Sequence, residues 1–153
     1  MDWIEIKENI YFEDGAYRDI LISEATQDDW RKWVDYVTSK YRVSTIEHET
    51  QLKKDTIDLD SVLAYWGGKA ECCATTSIYV GNVIVNCHYF DDKEFENDIT
   101  PKEVTTEKDH IDILKYMTDI SLLLNKPVIM TLENCPDIIL MTVNRDKVSF
   151  TDK

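Results

Sequence analysis

A chain of 153 residues with 43% hydrophobic content is long enough to bury one core. Thirty acidic residues against seventeen basic ones give a net charge of −13, which disfavours binding to nucleic acid or anionic lipid and favours a cationic partner. No stretch approaches the ~20 apolar residues of a membrane span, and the chain begins without a basic and apolar leader pattern. Together these features predict a cytoplasmic protein.

The first part of the chain predicts strands followed by a helix. Its apolar residues predict one or two short strands within residues 3–12 and a further strand at 19–22. Thr26, with Asp29 three positions later, is typical of a helix N-terminus in an acidic form of the capping box. We therefore expect a main helix at about 27–41, whose apolar stripe packs on a sheet.

The middle of the chain is dominated by a predicted β-hairpin at 72–90. Residues 42–50 predict a strand before it, and residues 61–66 fit either a short helix or a strand. Two β-rich runs flank Gly81 and Asn82, a dipeptide typical of tight hairpin turns. Because side chains alternate along a strand, the register set by this turn gathers one set of small, mostly apolar side chains on a face that we expect to be buried. The central members of that set are Ile78, Val80, Val83, Val85 and Cys87.

Residues 91–109 are unusually acidic, with eight carboxylates against three lysines. Pro101 excludes an early helix, so we expect an exposed connection over much of this segment. Thr106, with Asp109 three positions later, then predicts a second main helix at about 107–124.

The last part of the chain predicts strands at 128–132, 138–143 and 148–150, separated by turns. Strand neighbours joined by short turns favour antiparallel pairing. We therefore predict one α+β domain over residues 1–153, with a largely antiparallel sheet, the central hairpin at 72–90, and both main helices packed on one face.

No catalytic motif emerges from the chain. Cys87 and His88 are adjacent on a predicted strand and so point to opposite faces, which prevents the histidine from activating the thiol. Three histidines lack the spacing of a metal site, and no glycine-rich phosphate loop is present. We therefore predict no catalytic residue, metal ligand or cofactor. The cysteines (Cys72, Cys73, Cys87 and Cys135) match no disulfide or zinc pattern, so we expect reduced thiols.

Acidic segments beside aromatic residues are the remaining functional signal. Charge steers the encounter with a basic protein, and aromatic side chains supply buried anchors. The predicted partner-binding residues are Asp91, Asp92, Glu94, Phe95, Glu96 and Asp98, with a second patch at Asp55, Asp58 and Asp60.

In size and acidity the chain resembles the small acidic α+β immunity proteins of bacterial polymorphic and contact-dependent toxin systems. The resemblance also rests on two phrases, Ile-Tyr-Val-Gly-Asn-Val-Ile-Val from residue 78 and Leu-Asn-Lys-Pro-Val-Ile-Met-Thr-Leu-Glu-Asn-Cys-Pro from residue 124. It implies that the protein binds a cognate toxin domain, often a cationic nuclease, and blocks its active site or an exosite. It assigns no catalytic residue to this chain.

Two other classes of function stay open on the sequence. One is a small cytosolic hydrolase or transferase that uses scattered carboxylates with His88 or His110. The other is a homo-oligomeric accessory protein, which four tryptophans and eight tyrosines permit. A toxin-like gene directly upstream would favour the immunity protein over both.

Overall fold

The computed structural model describes residues 1–71 and 73–151. Four α-helices and nine strands lie within these ranges, together with a 3₁₀ turn at Pro101–Glu103. The helices are α1 (Trp3–Asn9), α2 (Gln27–Lys40), α3 (Leu59–Trp66) and α4 (Glu107–Leu124). The strands are β1 (Arg18–Ile22), β2 (Arg42–Glu47), β3 (Lys53–Lys54), β4 (Ala74–Val80), β5 (Val83–Asp91), β6 (Glu94–Ile99), β7 (Val128–Leu132), β8 (Cys135–Asn144) and β9 (Lys147–Phe150).

All nine strands join one sheet in the order β3-β2-β4-β5-β6-β1-β7-β8-β9. Every pairing in it is antiparallel. The predicted α+β class and largely antiparallel sheet are therefore confirmed. The two predicted main helices correspond to α2 and α4, each opened by a threonine capping box with an aspartate, and α1 and α3 add two shorter helices.

The central hairpin has the register that its turn predicts. Ile78 lies opposite Val85, Thr76 opposite Cys87, and all four side chains are buried. Gly81 adopts a φ of +60°, and a Cβ there would meet the carboxylate of Asp112 on α4. Glycine therefore lets the hairpin tip approach the first turns of α4.

The prediction of strands within residues 3–12 is wrong, because this segment forms α1. Asp2 accepts a hydrogen bond from the backbone N–H of Glu5, and the Glu5 side chain accepts one from the N–H of Asp2, which completes a capping box. The helix period places Ile6 and Ile10 in the core.

The prediction of an exposed connection over much of residues 91–109 is also wrong. β6 occupies part of this segment and is the middle strand of the sheet, paired with β5 and β1. Its sequence alternates acidic residues with core residues, and the charges hide the strand period. The core residues of β6 are Phe95, Asn97 and Ile99, which are almost fully buried.

One core lies between the sheet and the helices. Each helix contributes to it, with Ile6 from α1, Trp30 and Trp33 from α2, Val62 from α3, and Met117 as one example from α4. The Trp30 ring stacks on Phe95 with their centroids 3.7 Å apart. Because the helices bury their apolar residues on this side, the opposite face of the sheet is left to the alternate side chains of the strands.

Candidate protein-binding face

The sheet face opposite the helices, which we call the open face, is mostly polar. Its side chains follow from the strand registers and from the alternation along each strand. They include Arg42, Ser44, Thr75, Ser77, Tyr79, Ile84, Asn86, His88, Glu94, Glu96, Asp98, Asp19, Leu21, Ile129 and Thr131. Most of these side chains are half-buried or exposed and can contact a partner, whereas Asp19, Leu21 and Thr131 are buried.

Carboxylates gather in the middle of the open face. Glu94, Glu96 and Asp98 project from β6, Asp19 of β1 lies directly opposite Asp98, and Asp91 of β5 lies directly opposite Glu94. We call these five residues the acidic face. Like charges placed directly opposite each other on neighbouring strands destabilise a sheet. Asp19 and Asp98 form such a pair on the middle strands. Asp91 and Glu94 stand beside the β5–β6 turn, where a hydrogen bond from the Lys93 backbone N–H lowers the pKa of Asp91.

The titration of these groups reflects their crowding. Burial, followed by the charges of Asp91 and Asp19, raises the pKa of Glu94. Burial and the charges of neighbouring carboxylates, Asp19 and Glu94 above all, raise the pKa of Glu96. Burial chiefly raises the pKa of Asp19, which also accepts a hydrogen bond from the Asn134 backbone N–H at 2.9 Å. A cationic group placed against the acidic face would lower these pKa values and relieve the repulsion.

His88 is a partner of this kind for Asp98 within the protein itself. Its Nε2 lies 2.6 Å from Oδ2 of Asp98, and Asn86 donates to the other oxygen of Asp98 at 3.2 Å. The hydrogen bond to Asp98, followed by the charges of Asp98, Glu96 and Asp19, raises the pKa of His88. This pairing compensates Asp98 but leaves Glu94 and Glu96 without a cation of their own among the ion pairs of the described residues.

The structure corrects the choice of aromatic anchor. Phe95 is only 1% exposed and stacks on Trp30 in the core, so it cannot contact a partner on the surface. Phe90 is 64% exposed and stacks on the ring of His88, with centroids 5.3 Å apart. A register shift between His88 and Asp91 accompanies this exposure. Phe90 is therefore the exposed aromatic residue beside the acidic face.

Asp92 and the second acidic patch lie outside the acidic face. Asp92 is exposed in the turn between β5 and β6, and its carbonyl accepts a hydrogen bond from Nε1 of Trp30 at 2.8 Å. Asp55, Asp58 and Asp60 are exposed near the β3 end of the sheet, four strands from β6. Asp58 is the N-cap of α3 and accepts a hydrogen bond from the backbone N–H of Ser61. The structure therefore does not bring the two predicted patches together.

Among the described residues, no hydrogen bond joins a thiol to a histidine. Cys73, Cys87 and Cys135 are free, and Cys72 lies outside the described residues. Burial raises the pKa of Cys87 well above its ordinary value, and its side chain lies on the face opposite that of His88. His110 is buried with Nδ1 2.8 Å from the Tyr11 hydroxyl. No group of three or more His, Cys, Asp or Glu side chains among the described residues is arranged to hold a metal ion.

Asp19 is the functional candidate that sequence reasoning missed. It directly precedes the apolar residues Ile-Leu-Ile22 in a strand that begins at Arg18, and every residue of this strand is buried. A carboxylate inside the strand predicted at 19–22 was the available signal, since a buried carboxylate needs a partner or a role. Its place opposite Asp98 depends on long-range strand pairing, which the sequence does not reveal.

Comparison with known proteins gave no match to a family model, a curated protein or a solved structure. Within residues 1–71 and 73–151, none of the helices has the length and apolar character needed to cross a membrane.

Proposed function

We propose that this protein is an inhibitory binding module that recognises a basic partner protein through its acidic face, in the manner of the immunity proteins it resembles. The observation that carries the proposal is the crowding of Asp19, Glu94 and Glu96 on one sheet face, where burial and neighbouring carboxylates raise the pKa of each group. A surface that crowds like charges in this way gives up folding stability. A cationic partner would relieve the repulsion between the carboxylates on binding. The relief would contribute to the affinity and the specificity of the complex.

The distribution of charge on the open face supports an oriented complex. Arg42 of β2 and Lys53 of β3 lie three and four strands, respectively, from β6, which carries most of the acidic face. A partner with a single basic patch would be drawn to the acidic face, with the Asp55, Asp58 and Asp60 patch near the β3 end as the competing site. Electrostatic asymmetry of this kind selects one orientation and excludes wrong partners.

Phe90 supports the proposal by supplying an apolar contact at the rim of the acidic face. Its exposed ring can be buried by a partner, and its stacking on His88 limits the conformational freedom lost on binding. Asp92 follows it in the exposed turn and adds charge at the same edge. The Asp55, Asp58 and Asp60 patch ranks second as an interface, since Lys53 and Lys54 stand next to it.

The experiment is equilibrium binding to the product of the adjacent gene. We expect the double variant Glu94→Gln/Glu96→Gln to weaken binding about ten-fold, because two half-buried charges at the proposed interface are removed. The matched control is Glu8→Gln/Asp35→Asn, which removes the same charge from exposed positions on α1 and α2. Equal weakening by both variants would show that net charge alone acts, and no binding by the unaltered protein at micromolar concentration would contradict the proposal for that partner.

A further inference from the structure

A cavity of about 230 Å³ lies between α3 and the strands β2 and β4, away from the acidic face. At ~30 Å³ per water molecule, this volume equals roughly eight waters and suits a small organic molecule. Val62 and Ala64 of α3, Ile57 before that helix and Ala74 of β4 give it an apolar wall. A pocket with apolar walls and a few directed polar groups is the usual form of a small-molecule site.

A chain of three buried hydroxyl groups ends at this cavity. Oγ1 of Thr76 lies 2.9 Å from Oγ1 of Thr45 and 2.6 Å from the hydroxyl oxygen of Tyr89. The three hydroxyl groups carry three protons but form only two hydrogen bonds with one another. One proton therefore has no acceptor among these three groups. Thr76 is fully buried and does not line the cavity, so leaving its proton unpaired would be costly. The unpaired proton therefore falls on Thr45 or Tyr89.

Thr45 and Tyr89 both line the cavity, and they are only 7% and 2% exposed. The described residues provide no further hydrogen-bond partner for either hydroxyl. Whichever direction the two hydrogen bonds take, one buried O–H donor at the cavity wall needs an acceptor. That donor, on Thr45 or on Tyr89, can bond an oxygen atom of a ligand at this wall of the cavity.

Carboxylates outnumber cations on the cavity lining. Glu47, Glu49 and Asp58 contribute three carboxylates, and Lys54 contributes one ammonium group. Lys54 pairs with Glu47 at 3.3 Å, so Glu49 and Asp58 are left in excess. The excess negative charge favours a ligand with a positively charged group at that end.

We propose that this cavity binds a small primary amine whose compact apolar body ends in an oxygen acceptor. The oxygen accepts the unpaired hydroxyl proton of Thr45 or Tyr89, and the apolar body contacts Val62 and Ala64. The ammonium group lies beside Glu49 and Asp58. This ligand class satisfies all three features of the cavity, and it is independent of any partner at the acidic face.

Tyramine is a suitable probe, because it joins a phenolic oxygen to a primary amine through an apolar ring. Titration into the labelled protein, followed by amide chemical shifts, should give a Kd of about 1–10 mM, as expected for a ligand of this size. Phenethylamine lacks the oxygen, and 4-ethylphenol lacks the amine. Each should bind about five-fold more weakly, which is the effect of losing one hydrogen bond or charge contact.

Two variants test whether tyramine binds in this cavity. Ala64→Phe fills the cavity from a half-buried helix position, and the double variant Thr45→Val/Tyr89→Phe removes both possible donors, so either serves if the other does not fold. Both should lower tyramine affinity by about five-fold or more, whereas Ser77→Ala on the open face should not change it. Shifts at the lining amides that respond to both variants support the proposal. No shift at those amides, or equal affinity for tyramine and 4-ethylphenol, would overturn it.

Discussion

At the scale of single residues, the contact between His88 and Asp98 links the stability of the fold to pH. Because the hydrogen bond to Asp98 raises the pKa of His88 in the folded state, the folded protein holds this proton more tightly than the unfolded chain does. The stabilisation is therefore complete below the ordinary histidine value near ~6.5, and it is lost as the pH rises through the folded-state pKa.

His88→Gln keeps a hydrogen-bond donor and removes the titration. We expect the variant to be less stable than the unaltered protein by about 0.5–1.5 kcal/mol at about pH 5.5, with a smaller difference at about pH 9. Chemical denaturation at the two pH values measures both differences. A difference that grows with pH would show that the charged form of His88 is not favoured by the fold.

Phe90 and Phe95 are the same residue type in opposite environments, since Phe90 is exposed and Phe95 is buried. Phe95→Ala should lower the free energy of unfolding by about 3–5 kcal/mol, because it opens a cavity against Trp30. Phe90→Ala should change it by no more than about 0.5 kcal/mol, because the ring is mostly exposed. Urea denaturation of the two variants checks this directly, and a comparable loss in both would mean that Phe90 is covered in the folded protein.

At the scale of elements, β6 joins the core to the acidic face. Its alternate residues face the two sides of the sheet, so its carboxylates can be changed without touching Phe95, Asn97 or Ile99. The raised pKa values of Glu94 and Glu96 mean that their ionisation opposes folding. The penalty is fully present above their folded-state pKa values and absent below the ordinary glutamate value.

Glu94→Gln/Glu96→Gln should therefore stabilise the protein by about 0.2–1 kcal/mol for each like-charge contact relieved at neutral pH. The gain should fade as the pH falls through the raised folded-state pKa values and should be absent below the ordinary glutamate value of about 4.3. Thermal melts over a pH series measure the difference from the unaltered protein. A destabilised double variant at neutral pH would mean that the carboxylates make favourable contacts in the folded state.

The sequence predicted the elements whose end signals and periodicity agree. Threonine capping boxes and apolar stripes located α2 and α4, and a Gly-Asn turn located the β4–β5 hairpin and its register. The prediction was wrong where the end signals and the periodicity indicate different elements. Apolar Trp3, Ile4 and Ile6 outweighed the capping box of Asp2 and Glu5, and the acidic residues of β6 concealed its alternation.

At the scale of the whole molecule, the acidic face depends on contacts between distant parts of the chain. β1 pairs with β6 on one side and with β7 on the other, and the first of these pairings sets Asp19 against Asp98. No local pattern encodes such pairings, so the sequence located the acidic residues at 91–98 but not Asp19 beside them. The net charge of −13 is accordingly a property of particular surfaces, with Arg42 and Lys53 at the other end of the open face.

The association rate with the adjacent gene product, measured by surface plasmon resonance at two salt concentrations, tests the central claim most directly. Exposed charges act over about one Debye length, ~8 Å at physiological ionic strength. Glu94→Gln/Glu96→Gln should lower the association rate and flatten its salt dependence, with little change in dissociation, whereas Glu8→Gln/Asp35→Asn should keep both rates. An unchanged association rate for the first variant, with normal binding by the unaltered protein, would contradict the acidic face as the interface.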